Sequence, residues 1–146
     1  MEQQVQIGAE LPSIAKAPNE VSLFLFSAAT WNSHRIHYDR EYAHAEGHKD
    51  IVVHGSLRAN WLVEAMLSWA PGALLRSFSF RNVAPAFVGE SFTAGGHVTD
   101  VRPGTGAVDV TIDLRVEGPS GITTVGRGVL RFPGTADGTV PEGLDP

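Results

Sequence analysis

Across residues 107–117 apolar and polar side chains alternate without interruption. Val108, Val110, Ile112, Leu114 and Val116 interleave with Asp109, Thr111, Asp113 and Arg115. Strand side chains point to opposite faces with a period of two, so this run specifies a strand with one face on a core and the other in water. Residues 74–83, 91–101 and 123–132 are its predicted neighbours. Turn signals separate them: Pro85 to Gly89, then Pro103-Gly104-Thr105-Gly106, then Gly118-Pro119-Ser120-Gly121. The second half is therefore expected to be an antiparallel meander.

A sheet with one apolar face needs a cover. Residues 56–69 supply it, with Leu57, Trp61, Leu62, Ala65, Met66 and Trp69 recurring at spacings of three and four. Val63 and Leu67 widen that stripe, so the helix should be buried on most sides until Pro71-Gly72 ends it. One helix against one antiparallel sheet is an α+β arrangement. Residues 19–30 fit two states: Leu23, Phe24 and Phe26 suit a strand, while Asn19 as a cap followed by Ala28 and Ala29 suits a helix. A short helix is predicted to start at Asp39, whose carboxylate can cap the amides of Glu41 and Tyr42.

The chain has 146 residues, 42% of them hydrophobic, enough for one core. Residues 1–132 are expected to form that single domain. Residues 133–146, PGTADGTVPEGLDP, are too rich in Gly, Pro and acid to pack and are expected to be a disordered tail.

Charge and cysteine content narrow the function. Sixteen acids against eleven bases leave a net charge of −5, which argues against a nucleic-acid surface. With no Cys there is no disulfide, thiolate zinc site, cysteine-ligated cluster or Cys nucleophile. The opening MEQQVQIGAELP lacks the basic and apolar regions of a secretory signal, and no apolar run approaches the ~20 residues of a membrane span. A cytoplasmic protein with no membrane partner is the expectation.

Five of six histidines fall within residues 34–54: His34, His37, His44, His48 and His54. Imidazole exchanges a proton near neutral pH, so the cluster allows a metal site, bland surface histidines or a general acid/base. The metal reading is the weakest. No acid accompanies His34-x-x-His37 or His44-x-x-x-His48, and Gly47 breaks the helix that would align the second pair. His44 and His48 suit the surface reading. His37 suits the acid/base reading.

The strings FSAATWNSHRIHYDREYA at 26–43 and VVHGSL at 52–57 resemble the MaoC-like hydratases and dehydratases. Within them the chain is similar to the branch of 3-hydroxyacyl-thioester dehydratase type 2 and mesaconyl-CoA hydratase. IGAELP at 7–12, VAPAFVGESFTAGGHV at 83–98 and GRGVLRF at 126–132 extend the likeness over residues 4–132. The resemblance implies a single hot-dog fold, an antiparallel sheet wrapped around a long central helix. It implies a hydro-lyase that adds water to, or removes it from, an enoyl or 3-hydroxyacyl thioester of CoA or an acyl carrier. His37 would move the proton, and the Gly55 N–H at the helix start would hold the thioester oxygen. Many R-specific enoyl-CoA hydratases carry Asp five residues before that His. Here Asn32 stands there; it does not ionise near pH 7 but can hold a water.

Other candidates follow from the same strings. Asp39 can orient His37, though capping is the stronger expectation. His54 either lines the site or bonds across a dimer. Arg35, Arg58 and Arg81 are candidate phosphate or carboxylate contacts, each alone reading as a solvated surface arginine. Trp31, Trp61, Met66 and Trp69 could border an acyl tunnel, but most of them read as core at helical spacing. No metal and no dissociable cofactor are expected. The resemblance implies side-by-side pairing of two hot dogs, as a homodimer or with a second hot-dog subunit. A non-catalytic hot-dog subunit and a hot-dog thioesterase are the rival functions.

Overall fold

The structure, a computed structural model, describes residues 5–133. In chain order it contains β1 (Ile14–Lys16), α1 (Glu20–Ala29), a 3-10 turn (Arg35–His37), α2 (Arg40–Ala45), α3 (Gly55–Trp69), β2 (Leu74–Asn82), β3 (Phe92–Gly104), β4 (Ala107–Gly118) and β5 (Gly121–Pro133). Only Pro133 of the predicted tail is described, as the last residue of β5; the remainder lies outside the described residues.

All five strands form one antiparallel sheet in the order β1-β3-β4-β5-β2. The alternation of β4 holds: Val108, Val110, Ile112, Leu114 and Val116 are buried against α3, and the intervening residues are half-buried. Glycine makes the close approach of helix and sheet possible. An added Cβ at Gly128 would meet Met66 Sδ at 2.3 Å, and one at Gly126 would meet Leu62 Cδ1 at 2.9 Å. Trp61 on Phe92 and Trp69 on Phe132 close the two ends of the core, with ring centroids 5.7 and 6.2 Å apart. No described helix is long and apolar enough to cross a membrane.

One expectation needs correction. The meander comprises β3, β4 and β5 only; β2 pairs with β5 at the far edge rather than beside β3. The chain leaves β2 and crosses the N-terminal end of α3 before entering β3. Val53 N–H donates to Ala86 O at 2.8 Å and Val83 N–H to Thr123 O at 2.9 Å, pinning that crossover. The three-residue β1, paired with β3, was not anticipated. Residues 20–29 resolve to helix, because Asn19 and Ser22 form a reciprocal capping box (Oδ1 from Ser22 N at 2.9 Å, Oγ from Asn19 N at 3.0 Å).

Candidate active site

The 3-10 turn places His37 against the strand-like residues before α3. Val52 N–H donates to Ile36 O at 2.9 Å, and His37 Nδ1 lies 2.7 Å from Val52 O. A carbonyl only accepts, so Nδ1 carries the proton and the neutral ring keeps its lone pair on Nε2. His37 is 7% exposed. Burial lowers its affinity for a proton, the Val52 bond partly opposes this, and His34 and His48 lower it further. The ring therefore favours its neutral, proton-accepting form.

His54, only 1% exposed, stacks on His37 with centroids 3.8 Å apart and planes 17° apart. Its Nε2 lies 2.7 Å from Ser27 Oγ, within the same chain. Burial, followed by the neighbouring His37, pushes its pKa down to about 4. Gly55 follows as the first residue of α3, where the opening amides lack intrahelical acceptors and the helix dipole favours negative charge. The Gly55 N–H is the group expected to hold a thioester oxygen. The structure adds the Asn82 side chain: a Cβ at Gly55 would meet Asn82 Nδ2 at 2.2 Å. Thr124 Oγ1 donates to Asn82 Oδ1 at 3.0 Å and turns the amide nitrogen toward the helix start. Asn82 escaped the sequence reading because no motif marks it; only strand register brings it there.

Asn32 follows the C-terminus of α1. Asn32 N–H donates to Ser27 O at 2.9 Å and Trp31 N–H to Ala28 O at 3.3 Å, a Schellman ending with Trp31 in the left-handed region at φ 56°. Asn32 Oδ1 accepts from His34 N–H at 3.2 Å, leaving the side-chain NH₂ as donor. With Phe24, Ser27, Ala28, Trp31, Ser33 and Tyr38 it lines a cavity of about 230 Å³.

One expectation is corrected, and the others sort between their alternatives. Arg58 is not a surface arginine: it is 4% exposed, and Nη1 donates to Ala84 O at 2.8 Å and Thr123 O at 3.0 Å. It clamps the crossover and β5 to α3, away from any phosphate in solvent. Trp31 is 93% exposed, while Trp61, Met66 and Trp69 are core. Asp39 does not orient His37. Its Oδ1 caps α2 through Tyr42 N–H at 3.0 Å, and its Oδ2 accepts from Arg35 Nη2 at 2.5 Å. Arg35 is thereby drawn over the Tyr42 ring, 4.6 Å from its centroid, and remains exposed. Arg81 is exposed on edge strand β2. His44 is exposed, with Nε2 3.1 Å from Lys49 O, and His97 stands apart on β3. Among the described residues no three His, Asp or Glu side chains are placed to hold a metal ion together.

A family model described as hydroxyacyl-thioester dehydratase type 2 matches residues 3–88, which span Asn32, His37, His54, Gly55 and Asn82. The chain belongs to this family. It is 39% identical to the mesaconyl-C(4)-CoA hydratase of Chloroflexus aurantiacus over 123 residues, 80% of this chain and 40% of that protein. It is 30% identical over 105 residues to the 3-oxo-4,17-pregnadiene-20-carboxyl-CoA hydratase beta subunit of Mycobacterium tuberculosis, covering 71% of this chain and 81% of that one. Among solved structures it resembles the ChsH1-ChsH2 complex of Mycobacterium tuberculosis, with a TM-score of 0.77 and 26% identity over 86% of this chain and 96% of the matched one. The chain thus spans less than half of its mesaconyl-CoA-hydratase relative. The family and the α+β hot-dog fold implied by the sequence motifs both stand.

Proposed function

We propose that the protein is a hydro-lyase interconverting an α,β-unsaturated acyl thioester and its 3-hydroxyacyl form. One observation carries the reading: His37 holds its proton on Nδ1 against a main-chain carbonyl, so the Nε2 lone pair is the free base, beside the N-terminus of α3. In the hydration direction, Nε2 takes a proton from water and the resulting hydroxide attacks the β-carbon. The π electrons move toward the thioester, whose oxygen the Gly55 N–H stabilises as charge develops. The proton on Nε2 then passes to the α-carbon, restoring neutral His37. Elimination runs the same steps in reverse. Asn32 holds the water through its NH₂ group. The reaction, so balanced, draws on no metal or cofactor.

The same reading assigns a partner. Edge strand β2 exposes Leu74 and Phe80, with Val83 just beyond it, and an unpaired strand edge invites a second sheet. A homodimer pairing along β2 is favoured over a complex with a second hot-dog subunit, since it needs no further chain. The ChsH1-ChsH2 complex among the similar structures supports association with another subunit, without favouring a homodimer.

The experiment is hydration of crotonyl-CoA by the purified chain, followed by loss of the conjugated double bond. Turnover that His37→Ala abolishes supports the reading, and Asn32→Ala is expected to cost kcat about 10²-fold. No turnover with the wild-type chain favours a non-catalytic subunit. A dimer that is active only with a second hot-dog protein favours the heteromeric arrangement.

A further inference from the structure

His54 is the N-terminal cap of α3, yet its side chain makes no capping bond. Its Nδ1 is buried without a partner. Ser, Thr, Asp or Asn would cap this helix better, and an apolar residue would fill the space without an unpaired nitrogen. Neither capping nor packing accounts for a histidine here. What the ring does have is a parallel face against His37 at 3.8 Å, an edge contact with Phe26 at 4.9 Å, and the Ser27 hydroxyl 2.7 Å from Nε2. Ser27 shares the buried face of α1 with Leu23, so that hydroxyl is itself fixed.

We propose that Ser27 and His54 are positioning residues for His37: Ser27 fixes the His54 ring, and the parallel face of His54 fixes the plane in which His37 Nε2 points. The inference rests on the hydration reading above. Val52 O restrains the His37 ring at Nδ1 alone, and a ring held at one atom can still tilt. The stack supplies the second restraint. The plate must also be uncharged if His37 is to accept a proton. The titratable groups facing His37 are His34, 6.0 Å away between centroids, His48 and His54. Deep burial keeps His54 neutral down to about pH 4, so the group in closest contact adds no charge.

The test uses the full chain and crotonyl-CoA. Small misplacements of a catalytic group cost up to about 10²-fold, so His54→Ala is expected to lower kcat on the order of 10²-fold and Ser27→Ala about tenfold, with KM nearly unchanged. Ser27→Thr should restore kcat, and His54→Phe, which returns a flat face, should exceed His54→Ala. His54→Ala also admits water beside His37, so the acid limb of the kcat/KM profile should rise toward pH 6.5, the ordinary histidine value. A purely structural role leaves that limb in place. Nitrogen-15 NMR titration of His37 in the free protein reads the same midpoint without substrate. If His54→Ala does not fold, the loss in Ser27→Ala and its rescue in Ser27→Thr carry the test. Wild-type kcat and an unmoved midpoint in Ser27→Ala, with no loss in His54→Ala where it folds, overturn the inference. A wild-type chain that hydrates nothing overturns the hydration reading instead, while the NMR titration still judges the positioning of His37.

Discussion

The meander and the segment 18–54 are held in place by different means. In the meander, β4 pairs with β3 on one side and β5 on the other, from residue 107 to residues 117 and 118, so each backbone bond is backed by neighbours. The segment carrying Ser27, Asn32, His37 and His54 is tied to the body by single bonds, among them Val53 to Ala86 and Val88 to Ile51 at 2.8 and 3.0 Å. Within it, helix caps and one 3-10 turn set where each side chain lies. The ladder therefore carries stability, and the capped segment carries geometry. Substitutions should sort accordingly.

The sharpest division is at His37. His37→Ala should reduce hydration by about 10³-fold, within the usual range for a lost acid/base, while the urea midpoint stays near wild type. Gly96→Ala should do the reverse. A Cβ there would lie 2.3 Å from Asp113 O and 2.9 Å from Leu114 Cδ2, inside a paired ladder where backbone cannot move aside. The expected cost is about 1–3 kcal/mol by chemical unfolding, with kcat per folded molecule unchanged. Loss of kcat in the folded fraction would break the division.

Acid joins the two regions, since both stacked histidines are buried neutral. Their proton affinities are lowered on folding, so the unfolded chain binds more protons as pH falls below 6.5. Stability is then full above pH 6.5 and lost on descending toward about pH 4 at up to about 1.4 kcal/mol per pH unit for His54, and His37 adds a loss of the same sign. Urea midpoints across that window should show the slope, and His54→Phe should flatten it. The smallest effect is at Trp31, exposed and in the left-handed region. Trp31→Gly should stabilise by about 0.5–1 kcal/mol and leave kcat unchanged, because glycine adopts that conformation freely. A matched fall in kcat would show that the tryptophan side chain, not the helix ending alone, places Asn32.

Periodicity explains what was legible. The stripe predicted α3 from residue 56 against an observed start at Gly55, and the alternation predicted β4 nearly to its end. The burial of Arg58 was also readable: it lies three and four residues before Trp61 and Leu62, on the buried face, and only its charge hid this. Ser27 similarly follows Leu23 by four. Strand order was not readable, because β2 has the same local pattern beside either neighbour and the crossover decides its place. Asn82 was hidden for the same reason. The motif strings fixed Asn32, His37 and Gly55 as candidates, but that Val52, and not Asp39, holds the His37 proton depends on a fold of the chain that no spacing records.

That last contact bears on mutational robustness. Where a carboxylate side chain orients a catalytic histidine, one base change can delete the orienter and leave the wrong tautomer. Here the acceptor is the peptide oxygen of residue 52, and all twenty amino acids possess one. The setting that keeps the proton on Nδ1 and the lone pair on Nε2 is inherited with the path of the main chain, so random drift at that codon can alter packing but cannot erase the instruction.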